Sequence, residues 1–370
     1  MIFGVILLFA KEHPVIRKAI NALSLKLSGG LSLSSSRLET LCLLVIGIAS
    51  VRTVNLSHIS GEMPTQAKVE STYRRLQRFF QFVDLKQDWS ARLVVRMLGL
   101  TESWNLCLDR TNWKVGRKEI NLLVLAIATR RYRVPLIWTV LGKAGNSNTC
   151  ERMALMKRYL DLFDATSIKY LLADREFIGL EWLAFLNKHR IPFIIRVRSN
   201  QYVTTEDGTR QSLKNLLRTC RGPRTFSAHF GPAGAAAPLW LNFAAKRIKG
   251  KALLIVVTNQ PAHHALSTYR KRWAIECLFA EAKTRGFNLE DTRMSIAKKL
   301  SLLVGLVALA MAWAAKTASA KLGTRKRPRK SHGRFAKSIF RIGLDEIRRL
   351  LRTTPEQAFR HWPKISQKIA

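Results

Sequence analysis

The stretch IKYLLADREF, residues 168–177, sets the reading of this chain. A short apolar, β-prone run closes on Asp174, and charged residues follow at once. The same design occurs upstream in SWNLCLDRTNW, residues 103–113, where the run closes on Asp109. An aspartate leaving the end of an apolar strand is placed at a sheet edge, where oxygen ligands can gather around a divalent ion. For either residue alone, an ordinary turn aspartate is the competing reading.

Outward from these runs, β-prone segments fall at 104–108, 120–129 and 134–141. A helix is expected over 150–163, a strand over 168–173, a helix over 180–189 and a strand over 192–197. Strand, strand, strand, helix, strand, helix, strand matches an RNase H-like α/β core over 101–198. Residues 199–266 read as a β-rich insertion, with strand-like runs at 239–244 and 253–258. A helix begins near residue 267, and the apolar run 300–315 reads as a second, buried helix closing the core at about 318. That run spans about 16 residues, short of the ~20 a bilayer needs, so no membrane segment is expected.

Residues 1–100 read as helical, with a strongly apolar run at 38–50 and a turn at 57–64 (SHISGEMP). In VESTYRRLQRFFQF, residues 69–82, Tyr73, Leu76, Phe79 and Phe80 recur at helical spacing, and Arg74, Arg75 and Arg78 lie off that stripe. A helix, a turn and a basic helix form a plausible DNA-binding unit; a solvated cationic face is the plainer alternative. Residues 319–370 form a basic tail, and Ile339, Phe340, Leu344, Ile347, Leu350 and Leu351 make one apolar side of a helix within it. The apolar residues 1–10 lack a basic leading segment and a small-residue cleavage pattern, so they read as a buried strand or a start placed too far upstream.

Across 370 residues, 63 Lys and Arg against 24 Asp and Glu leave a net charge of +39, while 47% hydrophobic residues supply a real core. Such a charge repels itself unless a polyanion neutralises it, and nucleic acid is the expected partner. The five cysteines are scattered without a CxxC pair, against both a disulfide framework and a structural zinc site. A reducing cytoplasm fits that pattern.

The segment YRKRWAIECLFAEAK, residues 269–283, carries Tyr269, Arg272, Glu276 and Lys283. At about 100° per residue these four fall on one narrow stripe of a helix, whereas Glu281 falls about 140° from Glu276. A carboxylate, two cations and a phenol on one face suit phosphate handled beside a metal ion: Arg272 through its fork, Lys283 as a point charge, Tyr269 as a donor. An ordinary i,i+4 Arg–Glu pair is the plainer alternative.

Taken together, these motifs resemble DDE-type bacterial insertion-sequence transposases of insertion-sequence family four. Their Y-x2-R-x3-E-x6-K signature is met by Tyr269, Arg272, Glu276 and Lys283, and Asp109 in LDRTNW and Asp174 in ADREF match the two family aspartates. The resemblance covers about residues 70–345. It implies a catalytic and metal-binding triad of Asp109, Asp174 and Glu276, using Mg²⁺ or Mn²⁺ in its place. It further implies cutting of double-stranded DNA at terminal inverted repeats and joining of the freed ends to target DNA, with a homodimer acting on paired ends. In some relatives a flipped base stacks on a tryptophan of the insertion; Trp240 is the insertion's tryptophan, although its apolar neighbours in PLWLNF favour a core place. The alternatives are an RNase H-like nuclease without strand transfer and a non-catalytic basic DNA-binding protein.

Overall fold

The computed structural model describes residues 13–62, 67–129, 131–234, 237–248 and 253–365. The apolar segment 1–10 lies outside them. Among the described residues five helices come first: α1 (His13–Leu27), α2 (Ser35–Val51), α3 (Leu56–Glu62), α4 (Val69–Phe82) and α5 (Ala91–Leu98). α2 is polar in its first turn but apolar all round from Leu41 to Ala49 and correspondingly buried, with Leu41, Leu44, Val45, Ile46 and Ile48 fully covered. α4 has the expected limits and buries Leu76, Phe79 and Phe80.

The turn expected at 57–64 is instead helical as far as Glu62, with 63–66 outside the described residues. Asn55 explains the difference. Its side-chain oxygen accepts from Ser57 N at 3.1 Å and from Ser57 Oγ at 2.7 Å, starting a helix that carries Ile59 wholly into the core. The Gly and Pro that suggested a turn come too late to prevent it.

Next comes an antiparallel meander of β1 (Trp104–Val115), β2 (Lys118–Ala128) and β3 (Arg133–Leu141). Gly116, at φ 59°, takes the left-handed backbone that the tight β1–β2 turn requires. α6 (Thr149–Leu162) follows, begun by a capping box in which Asn148 Oδ1 accepts from Glu151 N at 2.8 Å and Glu151 Oε2 from Asn148 N at 2.7 Å. β4 (Ile168–Ala173), α7 (Leu180–Lys188) and β5 (Phe193–Val197) complete this part. β4 lies parallel to β1, and β5 parallel to β4.

Residues 199–266 hold β6 (Tyr202–Thr204), β7 (Arg210–Ser212), the short α8 (Leu213–Leu216), β8 (Arg224–Phe230), β9 (Leu239–Arg247) and β10 (Leu253–Thr258). They extend the same sheet, because β10 pairs antiparallel with β5, giving the order β3-β2-β1-β4-β5-β10-β9-β8-β6-β7.

The single helix expected from about residue 267 is interrupted. α9 (Ala265–Tyr269) passes through a 3₁₀ turn at Arg270–Arg272 into α10 (Trp273–Ala282). α11 (Ala297–Leu322) and α12 (Ile339–Thr353) follow, and a 3₁₀ turn at Pro355–Phe359 comes after them. Helices cover both faces of the meander: Trp138 donates to Ser301 of α11 at 2.9 Å, while its neighbour Thr139, pointing the opposite way, accepts from Arg158 of α6 at 2.9 Å.

α11 is the centre of the helical layer. It is long and apolar enough to cross a membrane, with mean hydropathy 1.8, yet 89% of that stretch is buried within the protein. α12 is amphipathic as expected and lays Phe340, Leu344, Ile347, Leu350 and Leu351 inward. Its Gly343 lies so close that an added Cβ would sit 1.7 Å from Ala314 O of α11. Trp313 stacks on Phe359 at 4.8 Å and donates to Ala358 O at 2.9 Å, fastening the residues after α12 to the same helix.

Candidate active site

Strand register brings the two aspartates together. Leu108 of β1 and Ala173 of β4 are direct partners in a parallel pair, and each is followed by its aspartate. Asp109 and Asp174 therefore stand beside each other where the two strands part. Helix α10 packs across β1, β2 and β3 and delivers Glu276, while Tyr269 at the end of α9 and Arg272 in the 3₁₀ turn precede it.

Arg272 links the first and third carboxylates. Its guanidinium donates to Asp109 Oδ2 at 3.2 Å and to Glu276 Oε1 at 3.0 Å. Tyr269 serves the second: its hydroxyl donates to Asp174 Oδ1 at 3.3 Å, and Arg196 of β5 lies 3.7 Å from the same oxygen. The sequence-derived stripe is thus distorted by the 3₁₀ turn, but Tyr269 and Arg272 bond to the aspartates, and Glu276 is joined to Asp109 through Arg272. Lys283 sits past the end of α10, where its ammonium meets Asn112 O at 3.0 Å and Glu290 at 2.7 Å above the Trp113 ring. It braces β1 beyond Asp109. Glu281 points away and is buried beside Arg131, Arg133 and Phe340.

Burial raises the Asp109 carboxyl to about 6, against the opposing pull of the Arg110 amide and Arg272; Glu276 and Glu176 add to the rise. Burial, with Asp174 adjacent, also raises Tyr269 well above the ordinary phenol range, so its hydroxyl remains a donor.

A second set of contacts locks the two aspartate segments together. Arg110 grips Glu176 with two bonds, at 2.8 and 3.2 Å, and also donates to Asn121 at 3.1 Å and Asn146 at 2.9 Å. Sequence reasoning missed Arg110, Glu176, Asn121 and Arg196. The available signal was the charge following each aspartate, Asp-Arg in β1 and Asp-Arg-Glu after β4.

The remaining candidates lie elsewhere. Arg74 and Arg78 are exposed on α4. Arg75 is committed to the protein, donating to Thr40 at 2.8 Å, to Ser36 O at 3.0 Å and to Glu39 at 3.3 Å. Trp240 departs from the expected core place: it is 46% exposed on β9, edge-on to His229 at 4.7 Å. Strand alternation sends Leu241 inward and Trp240 outward.

The donor set is all oxygen, the chemistry a hard divalent cation prefers. In the present arrangement Arg272 neutralises two of the three carboxylates, and among the described residues no three His, Cys, Asp or Glu side chains are grouped to hold a metal ion.

The sequence model of the family described as the transposase DDE domain matches residues 100–313. This is more than half of the chain, from just before β1 into α11, and the chain belongs to that family. Membership marks it as an enzyme acting on DNA. No match was found among curated proteins.

Proposed function

We propose that this protein is an insertion-sequence transposase of insertion-sequence family four, which binds terminal inverted repeats and cuts and rejoins DNA through Asp109, Asp174 and Glu276. The observation that carries the reading is the Leu108–Ala173 register, which sets two aspartates side by side beneath the interrupted α9–α10 segment that bears Tyr269, Arg272 and Glu276. The order β3-β2-β1-β4-β5, with a meander followed by parallel strands, supports an RNase H-like core.

Asp109, Asp174 and Glu276 would hold Mg²⁺, or Mn²⁺ in its place, which when bound supplies activation of the attacking oxygen and stabilisation of the leaving one. The chain's own part begins with Arg272. A DNA phosphate is a better bidentate partner for a guanidinium than two separate carboxylates, so substrate draws Arg272 away and frees Asp109 and Glu276 as oxygen donors. Tyr269 turns its hydroxyl from Asp174 to a phosphate oxygen in the same exchange. Arg110, clamped to Glu176, keeps β1 and the segment after β4 from separating as these contacts change. Two protomers acting on paired ends would supply one such centre for each end.

The test incubates the protein and Asp109→Ala with Mg²⁺ and a duplex carrying the ends of the DNA that flanks the gene. Wild type should release 3′ hydroxyl ends and join them to a second duplex, while Asp109→Ala binds DNA without cutting. Cutting without joined product would instead indicate a nuclease. Unchanged cutting by Asp109→Ala would sink the assignment.

A further inference from the structure

Between α11 and α12 the chain forms a small, highly cationic hairpin outside the family-matched segment. In RKRPRKSHGR, residues 325–334, six of ten residues are Lys or Arg and none is acidic. The hairpin is held by its backbone: Lys330 N donates to Arg334 O at 2.8 Å, Ala336 N to Pro328 O at 2.9 Å, and Arg329 bridges Phe335. Gly333, at φ 79°, permits the reversal. Phe335 organises the charges, with the Arg327 guanidinium 3.6 Å and that of Arg329 4.9 Å from its ring centroid.

Six cations on so short a segment repel one another, yet two of them, Arg327 and Arg329, are gathered on one ring. Arg329, Lys330 and Arg334 are exposed. Arg329 spends one N–H on Gly333 O at 3.2 Å yet stays exposed, so its other N–H groups can meet phosphate oxygens. Charge and shape therefore favour a phosphate ladder, and sequence-independent contacts are all the hairpin needs to make.

We infer that the 325–336 hairpin is a clamp for the backbone of duplex DNA, separate from the catalytic centre and holding DNA whatever its sequence. The inference extends the transposase reading but does not depend on chemistry at the aspartates. Binding is therefore measured in the Asp109→Ala background, with a random-sequence 30-base-pair duplex at several salt concentrations. Arg329→Ala/Lys330→Ala/Arg334→Ala should flatten the plot of log affinity against log salt by about 2 to 3, near 0.9 per phosphate contact. The loss should be equal for terminal-repeat and random duplexes. Phe335→Leu keeps every charge, so it should weaken binding several-fold at fixed salt while leaving the slope unchanged. Thermal melting of each variant should match that of the parent.

An unchanged slope in the triple variant would overturn the clamp, as would a loss confined to terminal-repeat DNA. Wild type binding anionic vesicles or single-stranded RNA more tightly than duplex DNA would also overturn it. Failure of the transposase reading looks different: the salt slope would respond to the hairpin while cutting or joining remained absent.

Discussion

Arg272 and Asp109 meet at 3.2 Å, and the same guanidinium holds Glu276 at 3.0 Å, so one cation balances two of the three candidate catalytic carboxylates. Arg272 and Asp109 are both mostly shielded from water, whereas Glu276 is 43% exposed. The Asp109 contact is accordingly the stronger structural bond. Glu276 is the partner more easily released when an anion competes.

Arg272→Ala should therefore damage both stability and function. It leaves Asp109 unpaired and should cost about 1–3 kcal/mol in urea unfolding, with loss of DNA cutting. Arg272→Lys should recover part of the stability, yet little activity, since an ammonium lacks the two-pronged fork. Full activity in the lysine variant would refute the phosphate exchange.

Asp109→Asn retains the shape of the side chain but removes the buried charge. Cutting should fall by about a thousandfold or more, equivalent to about 4 kcal/mol of lost transition-state stabilisation. A thermal melt should show the metal-free variant no less stable than wild type. Instability of the variant would assign Asp109 a packing role.

Glu281 lies five residues beyond Glu276 but faces Arg133 and the start of α12. Burial raises its carboxyl, opposed by the charge of Arg133. Glu281→Ala should lower stability by about 1–3 kcal/mol while the rate per folded molecule stays close to wild type. A rate loss without a stability loss would move Glu281 into the reaction.

Glu346 should make tail docking acid-sensitive. Arg349 at 2.6 Å, together with Lys321 of α11, holds its carboxyl down to about 2 from an ordinary 4.5. A depressed carboxyl contributes stability that is complete above the unfolded value and fades as pH falls from about 4.5 to about 2. Glu346→Gln should thus destabilise the protein at pH 7 and match wild type near pH 2. Equal differences at both pH values, measured by urea titration, would exclude the linkage.

Much of the meander and the following alternation was legible in the sequence because each element carries a local signal. The run 168–173 is apolar and bounded by turn residues, and it became β4 with those limits. The aspartates could be located for the same reason. What could not be read was tertiary. Arg110 and Glu176 lie 66 positions apart, and their bond depends on the β1–β4 register. Arg75 looked like a surface cation until Thr40 and Glu39 of α2 were seen beside it. Trp240 departs from the expected core place because strand alternation, not its apolar neighbours, sets the direction of its side chain. The 3₁₀ turn at Arg270–Arg272 carries no local signal, since three consecutive cations satisfy an α-helix pattern equally well.

The Gly343–Ala314 contact has a consequence for any shortened form of this molecule. With the two backbones touching, no larger residue at 343 can keep that crossing, and the flank of α11 beneath it is covered by the apolar side of α12. A truncation that removes α12 would uncover greasy surface able to pass for a bilayer span. Such a fragment should precipitate or partition into detergent micelles, even though every proposed catalytic side chain remains in its sequence.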